Sequence, residues 1–283
     1  MMDDVSSPLT ELLALAVSGT DAYVVGGLGL SVGGPDRETA AQLLAEDAMA
    51  IRCGASPILE RWRQRRDGGP AESGVRAEAV AIYAGIGFGL PAKPANENHL
   101  QGLVAELFWN RLVRERRICA DGRELVHAHS VKPDPLEPGG DGLVIYRVES
   151  DTLVFRLWEI KKHEANTKAI SATIKRASQQ LVSRGKEYLA KLAGPETIAQ
   201  GGPLGAFYAE LVELWLDQDE RAGVGVTVGT SSQHAPTGPG AFDAIAEAFP
   251  AFSGPGQAEG IVVAVPDFPQ FALRVREIVW SGL

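Results

Sequence analysis

The chain has 283 residues, 45% of them hydrophobic, and a formal net charge of −9 at pH 7. This length and composition indicate a globular protein with one large domain or two small ones. The acidic, polar first residues exclude an ordinary signal peptide, and the apolar uncharged run 79–92 is too short to span a bilayer. The two cysteines, Cys53 and Cys119, exclude a disulfide framework and lack metal spacing. We therefore expect a cytoplasmic protein without a membrane partner.

The first part of the chain, residues 1–95, is predicted to be a mainly helical region. Its periodicity and turn residues predict helices over Leu9–Val17, Arg37–Arg52, Pro57–Arg66 and Val75–Leu90, and a strand or hairpin over Ala22–Val32. Prolines end the last of these helices. A second domain is predicted to cover residues 96–283.

A long amphipathic helix opens this second domain. Asn96 or Asn98 can act as its N-cap, and its apolar stripe runs to about Cys119. Glu106 lies at the margin of that stripe. This position alone is typical of an ordinary half-exposed helical glutamate.

The first core strand is predicted over Glu124–Val131. His127 and His129 lie on one face of this strand, a spacing that can bind a metal ion. Without a second cluster of ligands in the sequence, exposed strand histidines are the better interpretation.

A β-hairpin is predicted between Pro138 and His163. Leu143–Val148 and Leu153–Ile160 are rich in strand-forming residues, and the residues between them favour a turn. Antiparallel pairing of the two strands brings Asp141, before the first strand, close to the end of the second.

The end of the second strand reads Glu159-Ile160-Lys161. Because strand side chains alternate, Glu159 and Lys161 share one face while Ile160 points to a core on the other. Carboxylates suit Mg²⁺, and a lysine beside a metal ion can hold an attacking water and offset charge growing at phosphorus. A solvated ion pair on an edge strand is the alternative. The apolar Trp158 and Ile160 on the opposite face favour the metal site.

The remaining elements alternate between helix and strand. Helices are predicted over Asn166–Leu192, Pro203–Trp215, Ala241–Phe249 and Pro269–Trp280, and strands over Gly223–Thr230 and Gly260–Val265. The stretch from Arg156 to Lys191 has nine basic residues against three acidic ones, although the whole chain is acidic. Such a stretch beside a metal site suits a phosphate backbone, and a lysine-rich helix surface is the alternative.

The acid, the hairpin and the Glu159-Ile160-Lys161 triplet resemble the signature of the PD-(D/E)xK nuclease superfamily. The proline that names the family is absent before Asp141, which stands in Gly-Gly-Asp-Gly. Pro133-Asp134 is a literal match, but Pro135 follows it and no strand begins there, so Asp134 is only a reserve candidate. The resemblance covers roughly residue 98 to the C-terminus. It implies an α/β fold with a restriction-endonuclease-like αβββαβ core, a central mixed sheet and an additional N-terminal helical region.

The resemblance also implies a DNA endonuclease that depends on Mg²⁺ or Mn²⁺. Asp141 and Glu159 would hold the metal ion with help from the Ile160 carbonyl, Lys161 would position the water, and Glu106 would assist. The residues expected to contact nucleic acid are Lys162, His163, Lys175, Arg176 and Gln180. Some relatives have a Gln and a Tyr one turn apart on the helix after the triplet. Here Gln180 and Tyr188 are two turns apart, so the match is loose, and a packed core residue is the alternative interpretation of Tyr188.

No zinc finger or helix-turn-helix signal predicts base reading. The chain also resembles the nuclease subunit of Hachiman-type bacterial anti-phage systems, which implies a helicase or ATPase partner. Its Ala- and Gly-rich composition is typical of a GC-rich bacterial genome.

Two alternative functions remain open. One is an inactive nuclease fold that binds nucleic acid or scaffolds a complex, and the other is a small-molecule hydrolase that uses His127 and His129.

Overall fold

A computed structural model of the chain describes residues 8–18, 22–26, 30–132, 140–149, 151–164 and 169–283, with only the backbone described for 14–18 and 22–26. The helices are α1 (Leu9–Leu12), α2 (Pro35–Cys53), α3 (Pro57–Arg66), α4 (Gly74–Gly85), α5 (Glu97–Glu115), α6 (Ile170–Ala199), α7 (Gly202–Leu216), α8 (Asp243–Ala248) and α9 (Phe268–Ser281). Within the described ranges, no helix is long and apolar enough to cross a membrane.

The strands are β1 (Ala14–Ser18), β2 (Ala22–Gly26), β3 (Gly89–Leu90), β4 (Lys93–Pro94), β5 (Glu124–Ala128), β6 (Gly142–Arg147), β7 (Leu153–His163), β8 (Val224–Ser231) and β9 (Ala258–Val265). Seven of them form one mixed sheet in the order β1-β2-β9-β8-β7-β6-β5. The strands β5, β6 and β7 are antiparallel neighbours, whereas β7, β8, β9 and β2 run parallel.

Two hydrophobic cores cover the two faces of this sheet. One contains residues of α2, α5 and α9 together with Trp158 and Ile160 of β7. The other contains residues of α6, α7 and α8 together with Phe155 and Leu157 of the same strand. Successive β7 side chains therefore enter opposite cores, as the alternation of a strand requires.

The curl of the sheet is shown by a buried ion pair that joins the β5 edge to β9. The Arg123 side chain, just before β5, donates to Glu259 of β9 at 2.8 Å. Three strands separate β5 from β9 in the sheet. An arginine side chain can cross this distance only if the sheet bends toward itself.

The prediction of an α/β protein with a central mixed sheet is confirmed. The order α5, β5, β6, β7, α6, α7, β8 is the predicted order of a helix, three strands, a second helix, an additional helix and a fourth strand. The identification of this core as restriction-endonuclease-like stays a prediction. So does the division at residue 95, although β2 pairs with β9 and the Trp62 indole of α3 donates to the Val279 carbonyl of α9 at 2.8 Å.

The predicted C-terminal limits of two helices in the N-terminal region were wrong. The helix expected over 9–17 ends at Leu12, and the following residues form β1, because they pair with β2 at the sheet edge. The helix expected over 75–90 ends at Gly85. Gly87 and Gly89 have φ values of +71° and +66°, which a right-handed helix cannot contain. The chain turns there into the short β3–β4 hairpin.

The first residue of β6 packs against a buried indole of α5. A Cβ atom at Gly142 would lie 2.1 Å from the ring of Trp109, which is itself fully buried. We expect Gly142→Ala to lower the free energy of unfolding by about 1–3 kcal/mol through overpacking, measured by urea denaturation. The matched control is Gly102→Ala on α5, where the added methyl meets open space and should stabilise by about 0.5–1 kcal/mol. Equal stabilities of the two variants would contradict this packing argument.

Candidate active site

The site lies where β7 continues past the end of β6. Gly142, the first residue of β6, pairs with Trp158, so the last five residues of β7 have β8 as their only backbone neighbour among the described strands. Asp141 stands directly before β6, and its Oδ2 accepts a hydrogen bond from the Ile160 N–H at 2.9 Å. A carboxylate thus substitutes for the missing strand partner. The N–H and C=O of one residue point to the same side of a strand, so the Ile160 carbonyl also faces this gap.

Glu159 and Lys161 lie on the α6 face of β7, as their alternation predicts. The Lys161 ammonium donates to Glu159 Oε1 and lies 3.9 Å from Asp141 Oδ2. The structure therefore brings together the two carboxylates and the ammonium that the sequence singled out. It does so because the hairpin register sets Asp141 opposite Glu159.

Glu159 is the most buried member of this group. Its side chain is 0% exposed, and no described residue donates a hydrogen bond to its Oε2. Burial and the neighbouring Asp141 raise the pKa of Glu159 to about 8, against the opposing effect of Lys161. Burial alone would lower the pKa of Lys161, but Glu159 and Asp141 raise it overall, so the ammonium keeps its proton at neutral pH.

Glu106 faces the same site from α5. Burial and then Asp141 raise the pKa of Glu106 well above its ordinary value, while Lys132 and Lys161 oppose that shift. In the described part of the chain, no three Asp, Glu, His or Cys side chains are gathered closely enough to hold a metal ion. Glu106 thus lies beside the site without completing a cluster of three ligands among the described residues. The reserve candidate Asp134 lies outside the described residues.

The donor set nevertheless suits a hard cation. Glu159 Oε2 is a buried carboxylate oxygen without a hydrogen-bond donor among the described residues, and Asp141 and the Ile160 carbonyl add oxygens at the same gap. Mg²⁺ binds such oxygens and retains several waters. The residues present therefore fit the metal ion that the sequence predicted.

Helix α6 closes the other side of the site. Tyr188 is buried, accepts a hydrogen bond from the Gln180 amide at 2.9 Å, and helps raise the pKa of Lys161. Tyr188 also packs against Gly140, because a Cβ at that glycine would lie 2.9 Å from the tyrosine Cβ. Tyr188 is therefore a packed core residue and also a neighbour of the lysine, while a role in contacting nucleic acid stays a prediction. Lys132 is a further neighbour of the site, and no local pattern in the sequence marked it.

The residues predicted to contact nucleic acid are spread over different surfaces. Lys162 points away from Lys161 and bonds Asn98 Oδ1 and Glu164 Oε1. Lys175 is exposed on α6 and lines a surface cavity together with α8 residues. Only some of these cations therefore lie beside the carboxylates.

Arg176 and Gln180 lie on the site side of α6. Arg176 is exposed and is close enough to His163 to lower the pKa of that histidine further. His163 is buried, its Nδ1 lies 2.8 Å from Thr173 Oγ1, and burial is the main cause of its lowered pKa. His163 is therefore neutral near pH 7 and offers a hydrogen bond rather than a positive charge.

The two histidines of the first core strand lie elsewhere. His127 is on β5, at the outer edge of the sheet and two strands from β7, and His129 follows that strand. Both are half-buried, so the prediction of exposed histidines was wrong. Both rings contact Tyr208 of α7, which lies too far along the chain for a local pattern to reveal.

The candidate site thus consists of Asp141, Glu159 and Lys161, with Glu106 and Tyr188 beside them. Neither a comparison with models of protein families nor a comparison with curated proteins finds a match for this chain.

Proposed function

We propose that the protein is a metal-dependent nuclease that hydrolyses phosphodiester bonds of DNA. The observation that supports this most is that Asp141 and Lys161 lie beside the fully buried Glu159 carboxylate. The Oε2 atom of that carboxylate has no hydrogen-bond donor among the described residues. A charged group in such surroundings is costly unless a cation offsets it. Perturbed carboxylates of this kind are typical of functional sites.

Asp141, Glu159 and the Ile160 carbonyl would hold Mg²⁺ or Mn²⁺. When bound, the metal ion supplies Lewis-acid polarisation of a phosphoryl oxygen and lowers the pKa of a bound water. Lys161 stays protonated, so its role is to hold the attacking water by hydrogen bonding and to offset the negative charge that grows at phosphorus. Burial and Asp141 raise the pKa of Glu106, and its carboxyl group would assist by proton transfer beside the metal ion.

The substrate follows from the surrounding charge. The stretch 156–191 has a local excess of basic residues, and Arg176 is exposed beside the site. Arg176, Lys175 and Lys162 would contact phosphates, and Gln180 and His163 would offer hydrogen bonds. Contacts of this kind bind a nucleic-acid backbone without reading bases. Specificity would come from a partner, and we propose a helicase or ATPase in an anti-phage system.

Cleavage of supercoiled plasmid and linear DNA by the purified chain, with Mg²⁺, Mn²⁺ or EDTA, tests this proposal. We expect nicking or linearisation with either metal ion and none with EDTA. If the chain alone shows no cleavage, the assay is repeated with the protein that co-purifies with it. Absence of cleavage in both settings, with DNA binding retained, would refute the nuclease and support the scaffold alternative.

The raised pKa of Glu159 predicts how Mg²⁺ binding depends on pH. Between the ordinary carboxyl value of 4.5 and the folded value of about 8, the folded protein holds a proton that the unfolded chain has released. Stability without metal should therefore fall as pH rises through that interval. Mg²⁺ must displace this proton, so its affinity should rise by about tenfold per pH unit up to about pH 8.

The measurement is the shift in Tm caused by Mg²⁺ at about pH 6 and about pH 8, in buffers of equal ionic strength. We expect the larger shift at the higher pH. Glu159→Gln, which has no proton to lose, is the control and should show a small shift at both values. A shift of equal size at both pH values in the unaltered protein would contradict this assignment of the proton.

A further inference from the structure

A second group of metal-ligating side chains lies at the outer edge of the sheet. His127 is on β5, His129 follows that strand, and Tyr208 is on α7. The Tyr208 hydroxyl oxygen lies 2.6 Å from His127 Nδ1 and 3.1 Å from His129 Nε2. Three donor atoms from two separate elements thus converge on one point.

The spacing of these atoms is close to that of ligands around one transition-metal ion. Metal–nitrogen and metal–oxygen bonds of about 2.0–2.1 Å set neighbouring ligand atoms about 3 Å apart in four-coordinate sites. The His129–Tyr208 distance of 3.1 Å already matches. The His127–Tyr208 distance of 2.6 Å requires only a small outward rotation of the half-buried His127 ring.

The protonation states suit a metal ion that prefers imidazole. Burial lowers the pKa of His127 and lowers that of His129 to about 4, so both rings are neutral at pH 7 and each has one nitrogen lone pair that can bind a metal ion. Neutral imidazoles suit Zn²⁺ and Cu²⁺, whereas Mg²⁺ prefers oxygen. The Tyr208 phenol is neutral because burial raises its pKa, so a cation must displace its proton to gain the third ligand.

The charges around the group act in both directions. Glu196 of α6 raises the pKa values of both histidines, which means that it attracts positive charge to this point. Arg114 of α5 lowers the pKa of His127, and His127 lowers the pKa of His129. A metal ion bound at this point would have one carboxylate nearby to offset its charge.

We propose that His127, His129 and Tyr208 form a binding site for a borderline transition-metal ion of the Zn²⁺ or Cu²⁺ type, separate from the carboxylate site of β7. The third ligand is a phenol, so the site does not need a third His, Cys, Asp or Glu. A bound ion links the edge strand β5 to α7. Its role is structural, because it fastens an edge of the sheet that has β6 as its only neighbour in the described sheet.

The experiment uses the full chain, treated with a chelator and then dialysed against excess Mg²⁺ to saturate carboxylate sites. Zn²⁺ is titrated by calorimetry. We expect one Zn²⁺ per chain, a loss of affinity of about tenfold or more in His127→Ala and in His129→Ala, and a smaller loss in Tyr208→Phe. His99→Ala removes an exposed histidine of α5 and should bind like the unaltered protein. Asp141→Asn should also bind normally, which separates this site from the proposed nuclease site.

Cu²⁺ bound to the unaltered protein gives a second measurement that does not depend on the folding of any variant. Electron paramagnetic resonance should show coupling to two imidazole nitrogens. Coupling to fewer than two nitrogens, or Zn²⁺ affinity unchanged in the double variant His127→Ala/His129→Ala, would overturn the proposal. The triad would then be a hydrogen-bonded contact in which the phenol donates to one ring and accepts from the other.

Discussion

Replacing Lys161 by alanine is expected to lower metal-dependent DNA cleavage by about 10²-fold or more, because the site loses the only ammonium in contact with Glu159 among the described residues. Lys161 Nζ lies 3.9 Å from Asp141 Oδ2 and stays protonated, so its charge lies where negative charge would grow at phosphorus. Single-turnover cleavage of a labelled duplex at saturating Mg²⁺ measures this loss.

A second effect of the same substitution must be separated from the first. Lys161 lowers the pKa of Glu159, so its removal raises that pKa further and weakens Mg²⁺ binding at neutral pH. Titrating Mg²⁺ at about pH 8 distinguishes the two effects, because weaker binding is overcome by more metal ion whereas a lost catalytic group is not.

Lys186→Ala is the matched control for this prediction. Lys186 is an exposed lysine of α6, so its removal changes the net charge equally without touching the carboxylates. Its cleavage rate should stay within about twofold of the unaltered protein, since one distant charge contributes little. If Lys161→Ala retained the rate of this control at saturating Mg²⁺, Lys161 would have no role in catalysis.

Replacing Glu259 by glutamine is expected to cause the largest loss of stability, about 3–5 kcal/mol, because it removes a buried negative charge that pairs with the buried Arg123 guanidinium. Glu259 is 1% exposed and accepts from Arg123 at 2.8 Å and from Arg116 at 3.4 Å. Arg156 is buried close by, and burial together with Arg123 lowers its pKa to about 10. Glu259 thus offsets several positive charges on the curled sheet.

Urea denaturation measures this loss. Glu213→Gln on the exposed face of α7 is the control and should change the free energy of unfolding by less than about 0.5 kcal/mol. The double variant Arg123→Met/Glu259→Leu should be more stable than Glu259→Gln, because it removes both members of the buried pair. A loss below about 1 kcal/mol in Glu259→Gln would mean that water or other groups already offset these cations.

The local chemistry of the hairpin could be predicted from the sequence. Strand-forming residues, turn residues and alternation were enough to align Asp141 with Glu159 and to assign Glu159 and Lys161 to one face. Helix α3 was predicted to its residue limits because Ser56 and Pro57 mark its start and a polar Gly-rich turn marks its end. Such signals are local, so they do not depend on residues that are distant in the sequence.

The limits of other elements depended on partners that are distant in sequence. The residues after Leu12 became a strand only because β2 was available for pairing, and β2 in turn joined β9 near the other end of the chain. Glu259 lies one residue before the predicted last strand, and no local pattern in the sequence marks it. Its ion pair with Arg123 exists only because the curled sheet brings β5 and β9 together. Short-range propensity cannot anticipate such pairings.

The sequence by itself determined which residues could do chemistry, and the tertiary structure decided what state they are in. Residue types and spacing selected Asp141, Glu159 and Lys161. Only the packing of α5 and α6 on β7 buried the Glu159 carboxylate, raised its pKa and brought Tyr188 beside the lysine. Burial and the electrostatic field of neighbours arise from every element around a group, so no single stretch of sequence contains them.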